Sequence, residues 1–136
     1  MNNLLTAIMT KTSGSALSAD VGGRIFLDEA PNGTEYPYIV FMIVSDVPDK
    51  TFTEIYEDVL VQFSLYSASA SAAEISTMHA DLKALFDECA LTITGSTLVW
   101  MWRSNLTTMV DEITTPAGTS TVKHWAVDFD VKTSLN

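Results

Sequence analysis

The residues able to do chemistry in this sequence are few and widely spaced. A thiol–imidazole nucleophile can draw only on Cys89 with His79 or His124. Such a pair needs the two side chains within hydrogen-bond reach and a thiolate held in an accessible, polar place. Cys89 instead continues an apolar stripe that begins at Ile75, which reads as a small core residue. His79 lies beside that stripe and reads as a half-buried helix histidine. His124, Asp128 and Asp130 share one face of a strand, a donor set that a cation accepts. At ~3.3 Å per residue the end members lie about 20 Å apart. Only the two aspartates approach a shared ion, and two carboxylates make an incomplete site. There is no G-x-S-x-G elbow, no G-x-x-x-x-G-K-[ST] phosphate loop and no G-x-G-x-x-G fingerprint. The expectation is a protein that is not an enzyme and uses neither metal nor cofactor.

Charge is more informative than reactivity. Seventeen acidic residues against seven basic ones leave the 136-residue chain at −10. That disfavours a groove that grips nucleic acid or an anionic membrane, since both need Lys and Arg. Several acids fall in pairs inside strands or at their ends: Asp28-Glu29, Glu57-Asp58, Asp111-Glu112 and the Asp128/Asp130 alternation. Solubility is one use for them. A sharper use is to line a pore through which a polyanion slides without sticking, with Glu57, Asp58, Asp128 and Asp130 as candidate wall residues. The longest apolar run, Tyr38 to Val44, is far short of the ~20 residues of a membrane helix. A single cysteine excludes an internal disulfide and makes a reducing compartment the default.

The elements that must position these residues follow from periodicity. Leu4, Leu5, Ile8 and Met9 give one apolar stripe on a short helix over residues 3–12, with Asn2 or Asn3 placed to cap it. Gly22-Gly23 leads to a strand over 24–29, and Pro31-Asn32-Gly33 makes a turn. Residues 38–45 form a nearly continuous apolar strand, the pattern expected for burial on both faces, and 46–50 a polar loop. Residues 55–67 alternate with period two, placing Ile55, Val59, Val61, Phe63 and Leu65 on one face and Asp58, Gln62 and Ser64 on the other, with Glu57 on the apolar face near the strand's start, within reach of solvent. Ser71-Ala72-Ala73-Glu74 has the S-x-x-E form of a capping box. The stripe from Ile75 to Cys89 then predicts a long amphipathic helix, about 27 Å at 1.5 Å per residue. Strands over 97–103 and 106–113 are separated by a tight reversal at Ser104-Asn105. A loop over 114–120 precedes a last strand over 121–132, with Trp125, Val127, Phe129 and Val131 opposite His124, Asp128 and Asp130. The order α-β-β-β-α-β-β-β predicts a single α+β domain with helices on one face of a mostly antiparallel sheet. Met101, Met109, Trp100 and Trp102 read as core or interface residues.

Three segments carry a family resemblance: Gly22-Gly23-Arg24-Ile25-Phe26, Ala30-Pro31-Asn32-Gly33-Thr34 and Tyr36-Pro37-Tyr38-Ile39-Val40-Phe41. With the Val61–Ser67 strand running into a Ser/Ala-rich helix start and the amphipathic Trp125–Val131 strand, the chain resembles the tail terminator, or tail completion, proteins of long-tailed bacteriophages over nearly its whole length. The resemblance places an "aP.G...PY" hairpin after the first strand. It implies a structural virion protein at the neck, assembled in the host cytoplasm, which forms a homo-oligomeric ring, typically a hexamer. That ring caps the head-proximal end of the tail tube, ends tube polymerisation and meets the head-completion (stopper) protein. DNA passes through its lumen without specific binding. No membrane is involved. A head-completion protein of the next neck ring, or a monomeric binding module, are the alternative readings. Three Trp, six Met and few charges suit a chain that buries surface against neighbours. The two long loops supply candidate contacts with a neighbour or the tube: Asp46, Asp49, Lys50 and Phe52 in one, Thr114, Thr115 and Pro116 in the other.

Overall fold

The computed structural model describes residues 2–116 and 118–135. It is dominated by one six-stranded sheet with three helices on one face. In chain order the elements are α1 (Asn2–Thr12), α2 (Ala16–Asp20), β1 (Ile25–Leu27), β2 (Tyr38–Lys50), β3 (Ile55–Ser67), α3 (Ala73–Phe86), β4 (Thr92–Ile93), β5 (Ser96–Thr115) and β6 (Gly118–Leu135). The strands lie in the order β1-β2-β3-β6-β5-β4. All neighbours are antiparallel except β1 and β2, which run parallel.

Period-two alternation in β3 and β6 decides where the core lies. Val59, Val61, Phe63 and Leu65 on β3, with Val127, Phe129 and Val131 on β6, are buried in one cluster with Leu4, Ala7 and Ile8 of α1, Leu17 of α2 and Ile75, Met78, Leu82 and Phe86 of α3. Placing those helices on one face leaves the other face of the sheet uncovered. Phe63 is the hub: its ring packs 5.6 Å from Phe41, 5.1 Å from Phe86 and 5.5 Å from Phe129.

Several expected boundaries are corrected. The predicted order lacks α2 and β4. Residues 97–103 and 106–113 are one strand, β5, whose register shifts between Arg103 and Asn105. Ser104-Asn105 is therefore not a reversal; the true hairpin lies between β5 and β6. A bulge adds one residue, and that phase change in the alternation resembles a turn. Residues 46–50 are not a loop but the end of β2, paired with β3 from Asp46↔Val59 to Lys50↔Ile55. The strand predicted over 24–29 is only Ile25–Leu27. The Pro31–Gly33 turn forms, with Thr34 N donating to Pro31 O at 3.2 Å and Gly33 at φ 80°. It does not close a hairpin, because β1 and β2 are parallel.

The predicted long helix is also shorter. α3 has 14 residues, about 21 Å, and ends before Cys89, which leaves the helix but still packs on the core. The capping box is not made: Ser71 Oγ accepts from Ala73 N (3.1 Å), while Glu74 Oε1 accepts from Ser67 Oγ (2.6 Å). Asn3 caps nothing; it lies within α1 and its side chain donates to Thr94 O (2.9 Å). α2 is capped, by Ser15 Oγ accepting from Ser18 N (3.2 Å).

The packing of α2 against α3 has a pH signature. Burial pushes the Asp20 carboxyl from 3.8 up to about 6, helped by a hydrogen bond to Asp81 and by that residue's charge. A raised acid pKa contributes stability fully below pH 3.8, and that contribution is lost as pH rises through about 6. Asp20→Asn keeps a donor for Asp81 without the charge. It is expected to raise the thermal midpoint near neutral pH and to match the unaltered protein below pH 3.8. A midpoint lowered at every pH would show that the Asp20 carboxyl is not opposed by Asp81.

Candidate functional site

The uncovered face of the sheet carries several charged side chains. On it, β3 presents Asp58, Leu60, Gln62 and Tyr66, and β6 presents His124, Asp128, Asp130 and Lys132, because their odd-numbered neighbours are committed to the core. Cross-strand pairing sets them in rows. Val47, Asp58, Lys132 and Trp100 form one row, Ser45, Leu60, Asp130 and Trp102 the next, and Met42, Gln62, Asp128 and Asn105 a third.

One end of this face is aromatic and apolar with carboxylates set into it. Trp100 and Trp102 stack at 4.8 Å between centroids. Leu60 and Val47 complete a shallow trough of about 390 Å³ whose rim holds Asp58 and Asp130. Lys132 lies between carboxylates, its Nζ 3.2 Å from Asp49 and 3.8 Å from Asp58, and it sits over the rings of Tyr56 and Trp100. This half-buried lysine is thus balanced locally by Asp49 and Asp58, and its ion pairs do not involve Asp130. In the middle, Gln62 Nε2 donates to Asp128 Oδ1 at 3.0 Å. The far end is a stack of Tyr36, Tyr38, Tyr66 and His124 with centroids 4.3–5.2 Å apart. Burial pushes the Tyr38 hydroxyl up to about 12, with the neighbouring Tyr36 adding to the shift. Burial also lowers the His124 pKa, although Asp111, 3.8 Å from Nδ1, opposes this. His124 is therefore held neutral by its stacked, half-buried position rather than kept as a cation.

Three of the four candidate wall residues come together here. Asp58, Asp128 and Asp130 share the open face. Glu57 does not: it points to the helix side, where it lines a small cleft with Asn3, Leu4 and Thr133. The interface candidates divide differently. Asp46, Asp49 and Lys50 belong to β2, and Asp49 is drawn to Lys132. Phe52 sits in the turn between β2 and β3, at 109% relative exposure. Thr114 and Thr115 end the backbone of β5; their side chains lie outside the described residues. Pro116 is in the exposed turn that follows.

Cys89 lies where the sequence reading places it, packed against the core. Cys89 Sγ faces Met101 Sδ at 3.8 Å on the core side, and burial raises its pKa, which keeps the thiol protonated. His124 is on the other face of the sheet, and His79 packs edge-on to Trp125. Among the described residues no group of three metal-ligating side chains converges. Of the residues read as core or interface, Met101 is fully buried, while Trp102 and Met109 are exposed.

Periodicity did not announce the two bare sheet edges. β4 covers β5 only at Ser96–Thr97, and β1 covers β2 only at Ile39–Phe41. Residues 98–115 of β5 and 42–50 of β2 therefore have a strand on one side only, and on β5 the Asp87–Glu88 segment takes up Met101 O and Arg103 N, which leaves the edge bare from Ser104. Exposed apolar side chains run along both: Val99, Trp102, Leu106, Met109 and Val110 on β5, and Met42, Val44 and Val47 on β2.

No curated protein matches the sequence. Among solved structures, the chain is similar to one from a structure described as "Virion of native gene transfer agent (GTA) particle". The TM-score is 0.72 and the identity 15%, over 95% of this chain and 92% of that one, a likeness of fold. A family model described as "Tail completion protein gp17" matches residues 3–134. That match takes in every strand that builds the acidic face and both bare edges, and by it the chain belongs to the tail completion protein gp17 family of structural phage tail proteins.

Proposed function

We propose that the protein caps the head-proximal end of a phage tail tube as a ring, with six copies as the expected number, and ends tube polymerisation there. The ring joins the tail to the head-completion protein in the virion neck, is assembled in the host cytoplasm, and lets DNA through its lumen. The observation that carries this reading is the convergence of Asp58, Asp128 and Asp130 on one uncovered sheet face. A wall of fixed negative charge repels phosphates, so DNA passes without the counterion-releasing contacts that would hold it. Within this reading the helices lie outward and the open face inward.

The test is tail length by electron microscopy of particles assembled with this gene disabled. Overlong tails of variable length are the expected result. Tails of normal length, detached from full heads, would instead assign the chain to the stopper ring. Normal joined particles would remove it from the neck.

Phe52 supplies a second check. A phenylalanine exposed this fully adds nothing to the core, so Phe52→Ala is expected to change stability by less than about 0.5 kcal/mol. As an anchor for a neighbour or the tube, it is expected to lower the yield of capped tails several-fold. An unchanged yield would release the β2–β3 turn from assembly.

A further inference from the structure

We infer that the free edge of β2 in one copy forms main-chain hydrogen bonds with the free edge of β5 in the next, so that the sheets join head to tail into one continuous antiparallel sheet. This rests on the ring reading above and names the surface that builds the ring.

The first argument is exposure. An unpaired, apolar strand edge is a template for another chain, and proteins that remain monomeric blunt such edges with charge, proline or a covering segment. From Ser104 to Val110 the β5 edge reads Ser-Asn-Leu-Thr-Thr-Met-Val, without a charge or a proline. Val110 is 66% exposed. Beyond Lys123 and Ser67, where β3 stops, β5 and β6 continue as a two-stranded ribbon. Such a ribbon is at best marginal alone in water. The chain also exposes 7549 Å², where its mass predicts about 7000 Å² for a compact monomer.

The second argument is direction, and it selects the partner edge. β2 is antiparallel to β3, β3 to β6 and β6 to β5. The two outer long strands, β2 and β5, therefore run in opposite senses. Rotation about a ring axis preserves sense, so the β2 edge of the next copy meets β5 antiparallel, as every other long pair in the sheet does. Pairing β5 with a second β5 would need a two-fold axis and would close a dimer rather than a ring.

The third argument is coverage. β1 shields β2 at one end of the sheet, and β4 shields β5 at the other. Between those shields β2 is open from Met42 to Lys50, while on β5 Glu88 N donates to Met101 O (2.8 Å) and Arg103 N donates to Asp87 Oδ1 (3.0 Å), so that edge is open from Ser104 onward. The two edges can thus meet without displacing β1, β4 or the Asp87–Glu88 segment once successive copies are staggered, as closed sheets require, so that residues 42–50 lie against the β5 edge from Ser104 through Val110. Pro48 on β2 lacks a donor, which an edge strand tolerates at the cost of one bond. Joined this way, the open faces of successive copies form one surface, and Asp58, Asp128 and Asp130 line it.

The experiment is cross-linking in assembled tails. In a Cys89→Ala background, Ser45→Cys on β2 is combined in turn with Asn105→Cys, Thr107→Cys or Met109→Cys on β5. Paired strands bring facing Cβ atoms to about 5 Å. Tails assembled in cells from the full set of tail genes are treated with a short thiol-specific cross-linker and resolved on a denaturing gel. At least one double variant is expected to convert most of the monomer into a ladder that stops at the closed ring, while each single variant stays monomeric. Cross-linking by a β5 single variant alone would show a two-fold β5–β5 contact and overturn the inference. Monomers only, from tails that are capped at normal length, would overturn the edge contact and leave the ring reading standing. Tails that lack the chain altogether would overturn both.

Discussion

Phe63→Ala is expected to lower the unfolding free energy by ~3–5 kcal/mol, a large part of the ~5–15 kcal/mol that a domain of this size has to lose. Phe63 is fully buried, and its neighbours Phe41, Phe86 and Phe129 come from β2, α3 and β6. Those three elements are anchored separately, two by ladder hydrogen bonds to β3 and one by its own buried stripe. They cannot all move inward to fill the space that the ring leaves. The cavity term is therefore retained almost in full and adds to the lost transfer free energy. Chemical denaturation followed by tryptophan fluorescence measures it. A loss below about 1 kcal/mol would mean that α3 does not seat on the sheet at this point.

The second large effect concerns the acidic face. Asp128→Lys with Asp130→Lys is expected to leave the protein folded and the tails capped, yet to block genome delivery. Asp130 is exposed, and exchange at such a position changes stability by about 0.5 kcal/mol or less. Asp128 gives up one hydrogen bond, from Gln62, which costs about 1 kcal/mol. In a ring each substitution is repeated in every copy, so a repelling wall becomes one that binds phosphate. Such binding weakens steeply with salt. DNA is expected to stall in the neck at low ionic strength and to be released as salt is raised. Replacement by asparagine is expected to slow passage less, because it removes repulsion without adding attraction. Full infectivity of the lysine variant would take the open face out of the lumen.

The two effects separate the faces of a single sheet, and that separation was legible before any coordinates. Val127, Phe129 and Val131 alternate with Asp128 and Asp130, and a strand has no other way to place them than on opposite sides. The expected side-chain partition is the observed one for Val59, Val61, Phe63 and Leu65 on β3 and for Val127, Phe129 and Val131 on β6, while Ile55 at the start of β3 is exposed and Ser64 is buried. Composition likewise disfavours a nucleic-acid clamp, because seventeen acidic residues against seven basic ones oppose phosphate binding.

Other features were not legible, for reasons that particular residues show. Ser104-Asn105 looks like a turn because it breaks the alternation. Only the continuous ladder to β6 reveals a bulge inside one 20-residue strand. Asp46 to Lys50 looks like a loop because it is exposed on both faces and holds a proline. Pairing with β3 on one side is sufficient to keep it extended. The stripe through Cys89 suggested a longer helix, yet the chain leaves α3 after Phe86 and still brings Cys89 to the core by a non-helical path.

The amino-acid sequence by itself determined which residues share a face, the sign of the charge on the open one, and the apolar stripe that draws α3 to the other. It could do so because side-chain alternation is a local property of an extended chain. Only the tertiary structure decided that β1 joins in parallel, that β5 runs unbroken, and that the sheet ends in two uncovered edges of opposite sense. Those depend on which distant segments exchange backbone hydrogen bonds, and backbone groups are the same in every residue except proline. An edge is the place where that exchange stops.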